Sequence, residues 1–415
     1  MRNYYLRSLI CSKCGHEYPF NVKYFRCDSC NEPLEVQYHY ELMAKNVSRN
    51  LFKGRSFSLW RYKELFPLKE KSNIITLNEG YTPLVKAEKL GKLLGVTNLY
   101  LKDETRNPTL SFKDRGTSVG ISVAIENQIK HVTCASTGNM AASLATYASK
   151  AGIKCTILVP AEVSLEKLVQ IAIYNPLILK INRPYPELYR MSFHIARNYN
   201  IALIHSDSPL RIEGQKTIAF EILEQLKWRV PDSVIVPTSS GGNLSAIWKG
   251  FKEFYLLGLI EELPRMIAVQ SEGCAPIVKA FKEKKESVES WGKPTTIAHS
   301  ISNPNPALAS GNRVIRILKE SNGYAETISD GEAIDAVGLI AGSEGIFVEP
   351  ASATSVAVIN KLINNGIIDK GDLIVSILTG SGLKEIESIR ISPENIIKVE
   401  SWNDLDKMFS SLLGK

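Results

Sequence analysis

Asn107-Pro108-Thr109-Leu110-Ser111-Phe112-Lys113-Asp114-Arg115-Gly116 is the stretch on which the reading of this chain turns. It sets one lysine, Lys113, between an aromatic ring and an acid–base pair, Asp114 and Arg115. A long, weakly polar helical pattern continues from Thr117 to Ile129. A lysine in the opening turn of a helix sits at the positive end of the dipole, which favours the neutral amine. That is the form a nucleophilic or carbonyl-capturing lysine needs. A solvated first-turn lysine has the same local pattern, so the rest of the chain has to decide.

Outward from this segment, short apolar strands alternate with helices. Asn98 to Lys102 reads as the strand feeding the lysine. His131 to Ala135, Cys155 to Val159, Leu177 to Ile181, Ile201 to His205, Ser233 to Val236 and Met266 to Gln270 read as further strands, with helical patterns between them. Ile74 to Leu77 reads as a strand, and Leu59 to Leu65 and Lys86 to Leu94 as helices. The stretch after Gln270 reads as irregular up to an Ala333 to Leu339 helix. An Ala351 to Asn364 helix and a Leu373 to Leu378 strand follow, and the tail from Lys398 reads as a strand and a terminal helix. This alternation predicts an α/β fold of parallel sheets covered on both faces. We divide the chain into a ribbon over residues 1–38, a large α/β domain over 39–114 and 229–415, and a small α/β domain over 115–228.

With 415 residues the chain is long for one core. Its 44% hydrophobic and 22% charged residues are ordinary for a soluble globular protein. The net charge of +7 is spread along the chain with no basic block, which argues against a nucleic-acid partner. No run approaches the roughly 20 apolar residues of a membrane span. The first residues lack a signal-peptide core, so a cytoplasmic protein with reduced thiols is expected.

Four of the seven cysteines are patterned. Cys11-x2-Cys14 and Cys27-x2-Cys30 can place four thiolates around one zinc ion, and a closed four-thiolate site is structural rather than catalytic. A redox or incidental origin of the two pairs is the alternative. Cys134, Cys155 and Cys274 lie in apolar surroundings and read as core residues.

Ligands in such sheets bind at loops leaving the carboxyl ends of strands. Four of these loops are rich in small polar residues. One carries Lys113. Ser136-Thr137-Gly138-Asn139 offers hydroxyls, an amide and helix-start amides, a cradle for a carboxylate, although simple N-capping would use the same residues. Ser239-Ser240-Gly241-Gly242-Asn243 suits a phosphate, because glycines let backbone amides approach an anion. Thr379-Gly380-Ser381-Gly382 places hydroxyls where a ring nitrogen could be bound. A phosphate, an aldehyde for the lysine and an aromatic nitrogen are the three handles of pyridoxal 5'-phosphate.

At this point the chain resembles the threonine synthases, within the fold-type-II pyridoxal-phosphate enzymes of the tryptophan synthase β type. The likeness runs from the cysteine ribbon to about Lys384. Its markers include Trp60-Arg61-Tyr62, Asn78-Glu79-Gly80-Tyr81-Thr82-Pro83, Lys102-Asp103-Glu104, Ser111 to Gly116, Arg211-Ile212-Glu213-Gly214-Gln215-Lys216-Thr217, Glu349-Pro350-Ala351-Ser352 and Thr379 to Lys384. The resemblance implies that Lys113 bonds the cofactor and later moves protons. Asn139 would meet the ring hydroxyl, and Gly241, Gly242, Asn243 and Leu244 the cofactor phosphate. Thr379 would meet the pyridine nitrogen. Ser136 and Thr137 would hold the substrate carboxylate, and Arg211 the substrate phosphate. The implied reaction turns O-phospho-L-homoserine and water into L-threonine and phosphate, and a homodimer is common among such enzymes.

Several positions depart from the family pattern. Leu110 stands where glycine is common, Met140 where a threonine follows Ser-Thr-Gly-Asn, and Ser381 where a histidine is usual. Ser239 to Asn243 replaces a Gly-Asn-Ala-Gly-Asn loop, and His205 to Leu210 a segment whose asparagines help bind the leaving phosphate. His205, Ser206 or Ser240 are candidates to compensate. These departures bear on the substrate, so a cysteate-synthase-like β-replacement or a serine/threonine dehydratase is the alternative activity. A non-catalytic binding protein is a third reading, and the intact Lys113 argues against it.

Overall fold

Ser-Val-Ile-Val-Pro at 233–237 and Leu-Ile-Val-Ser-Ile-Leu at 373–378 are buried at every position. Strands with no polar face belong in the middle of a sheet covered on both sides. The computed structural model, which describes residues 5–206, 208–389 and 396–413 without the side chains of residues 166 and 167, places them side by side.

The strands are β1 (Leu6–Cys11), β2 (Glu17–Tyr18), β3 (Leu34–Tyr38), β4 (Leu84–Lys86), β5 (Asn98–Asp103), β6 (His131–Ala135), β7 (Lys154–Pro160), β8 (Leu177–Ile181), β9 (Ala202–Leu203), β10 (Ser233–Pro237), β11 (Arg265–Ser271), β12 (Tyr324–Ile328) and β13 (Leu373–Leu378). They form three sheets. The ribbon is antiparallel in the order β2-β1-β3. The largest sheet runs β12-β11-β10-β13-β5-β4, parallel except for the β4–β5 pair. The third runs β8-β7-β6-β9 and is parallel throughout.

Several expectations need correction. Ile74 to Leu77 is no strand, because side chains satisfy its backbone. Ile75 N donates to Ser122 Oγ, Ser118 Oγ donates to Ile75 O, and Leu77 N donates to Glu79 Oε2. Leu59–Leu65 is a 3-10 segment rather than an α-helix. The expected 351–364 helix breaks in two, Pro350–Ala357 and Ile359–Asn364. The stretch after Gln270 holds helices Pro276–Lys282 and Gly311–Glu320 and the strand β12. In the tail the described residues show the helix Trp402–Leu412 and no strand.

The helix that opens on the lysine spans Lys113–Glu126. Its closest partner is the Pro209–Gln215 helix. Two glycines make that approach possible. A Cβ on Gly116 would stand 2.8 Å from Arg211 O, and one on Gly214 would collide with Arg115 O. Arg115, on the lysine helix, anchors a buried ion network with residues from other elements. Arg115 donates from Nε and Nη2 to Glu104 at 2.6 and 2.7 Å, from Nη2 to Glu221 at 2.7 Å, and to Thr82 Oγ1 at 3.0 Å. Lys102 reaches the same Glu221 at 2.7 Å. The acid–base pair beside the lysine is therefore not a pair. Asp114 instead accepts from Thr109 N and Oγ1, both at 2.6 Å, which pins the loop that delivers Lys113.

Candidate active site

Lys113 is the first residue of its helix, and its side chain enters a cavity of about 420 Å³. That volume suits a cofactor together with a small substrate. The wall brings together all four loops that the sequence singled out: Lys113, Ser136 to Met140, Ser239 to Leu244, and Thr379. The Nζ of Lys113 lies 4.3 Å from the centroid of the Phe112 ring. Burial lowers its pKa to about 7, the Arg211 charge pushes the same way, and Glu349 opposes both. The dipole argument expected a neutral amine, and desolvation is the larger cause of it here.

The glycine loop is a helix start. Gly241 has φ +89° and precedes the Gly242–Leu256 helix. A Cβ on Gly241 would stand 2.5 Å from Val314 Cγ2 and 3.0 Å from Ser310 O, so the chain closes tightly there. The opening amides of a helix have no intrahelical partner and point outward, as an anion requires. Asn243 is 8% exposed and lines the cavity, and neither its Oδ1 nor its Nδ2 has a partner. A buried amide left so is costly unless a ligand satisfies it. This donor set and this cradle fit the phosphate of pyridoxal 5'-phosphate. Thr379, 5% exposed, lies on the cavity wall and accepts from Phe112 N through its backbone carbonyl at 3.1 Å.

Asn139 also lines the cavity, and its Nδ2 donates to Glu349 Oε2 at 3.2 Å. Ser136 accepts from Gly138 N at 3.3 Å. Arg211 is placed differently. It is fully buried behind the lysine helix, outside the cavity lining, with Nη2 3.4 Å from Lys113 O. His205 stacks on Tyr189 at 4.5 Å and meets Phe193 edge-on at 4.8 Å, also away from the lining, while Ser206 and Ser240 are on it.

Three features of the wall were given no site role from sequence. Glu349, 1% exposed, accepts from Ser300 Oγ at 3.1 Å. Burial raises its pKa, against the hydrogen bonds from Asn139 and Ser300 and the charges of Lys384 and Lys113. The polar segment His299 to Pro304 forms one side of the cavity. It has no periodicity, so nothing in sequence marked it. Lys384 completes the rim, with Nζ donating to Thr109 O at 2.7 Å.

The ribbon gathers Cys11, Cys14, Cys27 and Cys30 so that all four sulfurs lie within 4.8 Å of one another. Cys11–Cys30, Cys14–Cys27 and Cys14–Cys30 stand at 3.4, 3.6 and 3.8 Å. A tetrahedron with metal–sulfur bonds of about 2.3 Å has edges of about 3.8 Å, so the set fits a zinc-sized ion. The other three cysteines are buried in the core.

Comparison with known proteins agrees with this geometry. The model of the family "Pyridoxal-phosphate dependent enzyme" matches residues 75–380. The threonine synthase of Methanocaldococcus jannaschii is 44% identical over 97% of this chain and 99% of its own. That of Methanosarcina acetivorans is 38% identical over 98% and 99%. Among solved structures, threonine deaminase isoform 2 of Solanum lycopersicum superposes with a TM-score of 0.61 at 21% identity, covering 74% of this chain and 86% of that one. Maize serine racemase gives 0.60 at 21%, covering 80% and 93%. At such identities the structural likeness speaks for the fold. With Lys113, the Gly241–Gly242 helix start and Thr379 lining one cavity, the chain belongs to the pyridoxal-phosphate-dependent enzymes and has their fold-type-II architecture.

Proposed function

We propose that this enzyme is a threonine synthase, converting O-phospho-L-homoserine and water to L-threonine and phosphate. The observation that carries the reading is the near-full-length similarity to the M. jannaschii enzyme of that name. The neutral amine of Lys113 in the cavity is consistent with it. Bound cofactor supplies an electron sink that acidifies the substrate's α- and β-hydrogens. Lys113 takes the α-proton, being the group at the cavity floor whose amine titrates near neutrality. A second deprotonation at the β-carbon expels the γ-phosphate, a proton is delivered to the γ-carbon, the hydroxyl of water adds at the β-carbon, and a proton returns to the α-carbon. Ser136, Thr137 and the amides at the start of the Asn139–Ala151 helix hold the substrate carboxylate. Gly241, Gly242, Asn243 and Leu244 would hold the cofactor phosphate, Asn139 its ring hydroxyl and Thr379 its nitrogen. Ser240 faces the leaving phosphate, and Arg211 adds positive charge from behind the wall.

The same reading takes the Cys11–Cys14–Cys27–Cys30 cluster as a structural zinc site and the functional unit as a cytoplasmic homodimer. It keeps the 115–228 segment as a domain distinct from 39–114 and 229–415. Purified protein loaded with the cofactor should release inorganic phosphate from O-phospho-L-homoserine and form threonine in equal amount. Turnover of phosphoserine with sulfite, or of free serine, without any with phosphohomoserine, would overturn it in favour of a β-replacement enzyme or a dehydratase.

A further inference from the structure

The polar segment His299 to Pro304 meets the anion loop at one point. Asn303 Nδ2 donates to Ser240 Oγ at 2.7 Å, and both residues line the cavity. The orientation of that amide is fixed. Asn303 Oδ1 accepts from Asn305 N at 2.9 Å, so the carboxamide cannot flip without setting two donors against each other. Ser240 is held from a second side, its carbonyl accepting from Ser310 N at 3.0 Å.

A hydroxyl has one proton and two lone pairs. Asn303 occupies one lone pair of Ser240 with a donated hydrogen, so the hydroxyl proton is directed elsewhere, and the cavity is the open side. We infer that Asn303 is a positioning residue for substrate specificity: it fixes Ser240 as a donor, so that the wall beside the Gly241 helix start selects a substrate carrying a phosphate. A phosphate has only acceptors to offer at neutral pH, so a fixed donor matches it where a freely rotating hydroxyl would not. The inference rests on the threonine synthase reading, because it assigns Ser240 to the leaving phosphate rather than to the cofactor. It also returns an amide to the site from a segment far away in sequence, at the loop where serine stands in place of asparagine.

The test is a double-mutant cycle on the holoenzyme with O-phospho-L-homoserine, using S240A, N303A and the pair, with N303D alongside. Losing a hydrogen bond to a charged group should raise KM about tenfold in S240A, and several-fold in N303A, where the hydroxyl rotates. The loss should fall on KM more than on the turnover number, and the cofactor's visible band and affinity should be unchanged, a pattern that uniform loss of structure would not give. N303A should add nothing in the S240A background. N303D should be worst, since its carboxylate accepts the serine proton and repels the phosphate. Inorganic phosphate should inhibit the wild-type holoenzyme and inhibit N303D far less. KM effects that multiply in the double mutant, an unchanged KM in N303A, or a loss of cofactor affinity instead would each overturn the inference. Failure of the wild type to release phosphate from phosphohomoserine overturns the underlying reading as well. Normal wild-type turnover with an indifferent N303A overturns only the role of Asn303.

Discussion

The depressed basicity of Lys113 can be tested on the apoenzyme before any substrate is involved. Burial, then Arg211, lower its pKa from 10.5 to about 7. At pH 7 roughly half of the amine is then neutral, against about four parts in ten thousand for an ordinary lysine of pKa about 10.4, a gain on the order of a thousandfold. Only the neutral amine attacks an aldehyde. Capture of pyridoxal phosphate by apoenzyme, followed by stopped-flow absorbance, should therefore rise about tenfold per pH unit below 7 and level off above it. Dividing by the rate for a simple aliphatic amine, measured in parallel, removes the cofactor's own titration. The two charges that flank Lys113 give the prediction opposite signs. Arg211→Met removes a cation and should move the plateau to higher pH. Glu349→Gln removes a group that opposes the shift and should move it lower. A wild-type rate that keeps climbing beyond pH 9 would refute the argument, as would a borohydride-reducible adduct that survives Lys113→Ala.

Three further outcomes follow from the surroundings. Arg115→Met leaves Glu104 and Glu221 buried without their shared partner, and chemical denaturation should show a loss of about 3–5 kcal/mol. Leu110 holds φ +63°, a conformation that costs a leucine about 1–2 kcal/mol and that glycine adopts at an entropic cost of about 0.5–1 kcal/mol. Leu110→Gly should thus leave the denaturation midpoint unchanged or slightly raised, and a clear loss of stability would contradict the strain. Stripping metal from the ribbon with a chelator, or replacing Cys27 by serine, should release a thiol-bound metal measurable by atomic absorption, and should loosen the Gly311–Glu320 helix in hydrogen exchange before the β10–β13 core opens.

The parts of the fold legible in sequence are those where local pattern and tertiary role coincide. β6 and β13 stand where their apolar runs placed them, because parallel strands buried on both faces carry no competing signal. Ile74 to Leu77 looked the same, yet Ser118, Ser122 and Glu79 take its hydrogen bonds, and no local pattern shows that. The loops at the strand ends were legible through their glycines and hydroxyls. The role of their charged neighbours was not. Asp114, Arg115, Lys102 and Lys216 stand in the segments with the strongest chemical signal, but their partners can lie far away in sequence, as Lys102 and Glu221 do at a separation of 119 residues. Lys216 is wholly inside, bound to Glu213 and Glu253 at 2.5 and 2.7 Å. Asn303 and Ser300 were invisible for the opposite reason, since an aperiodic polar segment gives no hint of which wall it will form.

The ribbon and the cavity are joined by one helix. Arg313 and Arg316, on Gly311–Glu320, hold the ribbon through Glu35 and Glu32 at 3.2 and 3.0 Å, and Asn312 reaches Glu32 at 2.9 Å. From the same opening turns Ser310 binds the Ser240 carbonyl, and Val314 closes over Gly241. A helix start that must present its amides to an anion gains nothing from loops that drift, because misplacement by an ångström costs binding. The cysteine cluster sits at the far side of this helix, where it can order the ribbon without touching any reacting group. A metal held there would act structurally because of where the ribbon pulls, on the segment that fixes Ser240 and Gly241, as much as because of the closed set of four thiols.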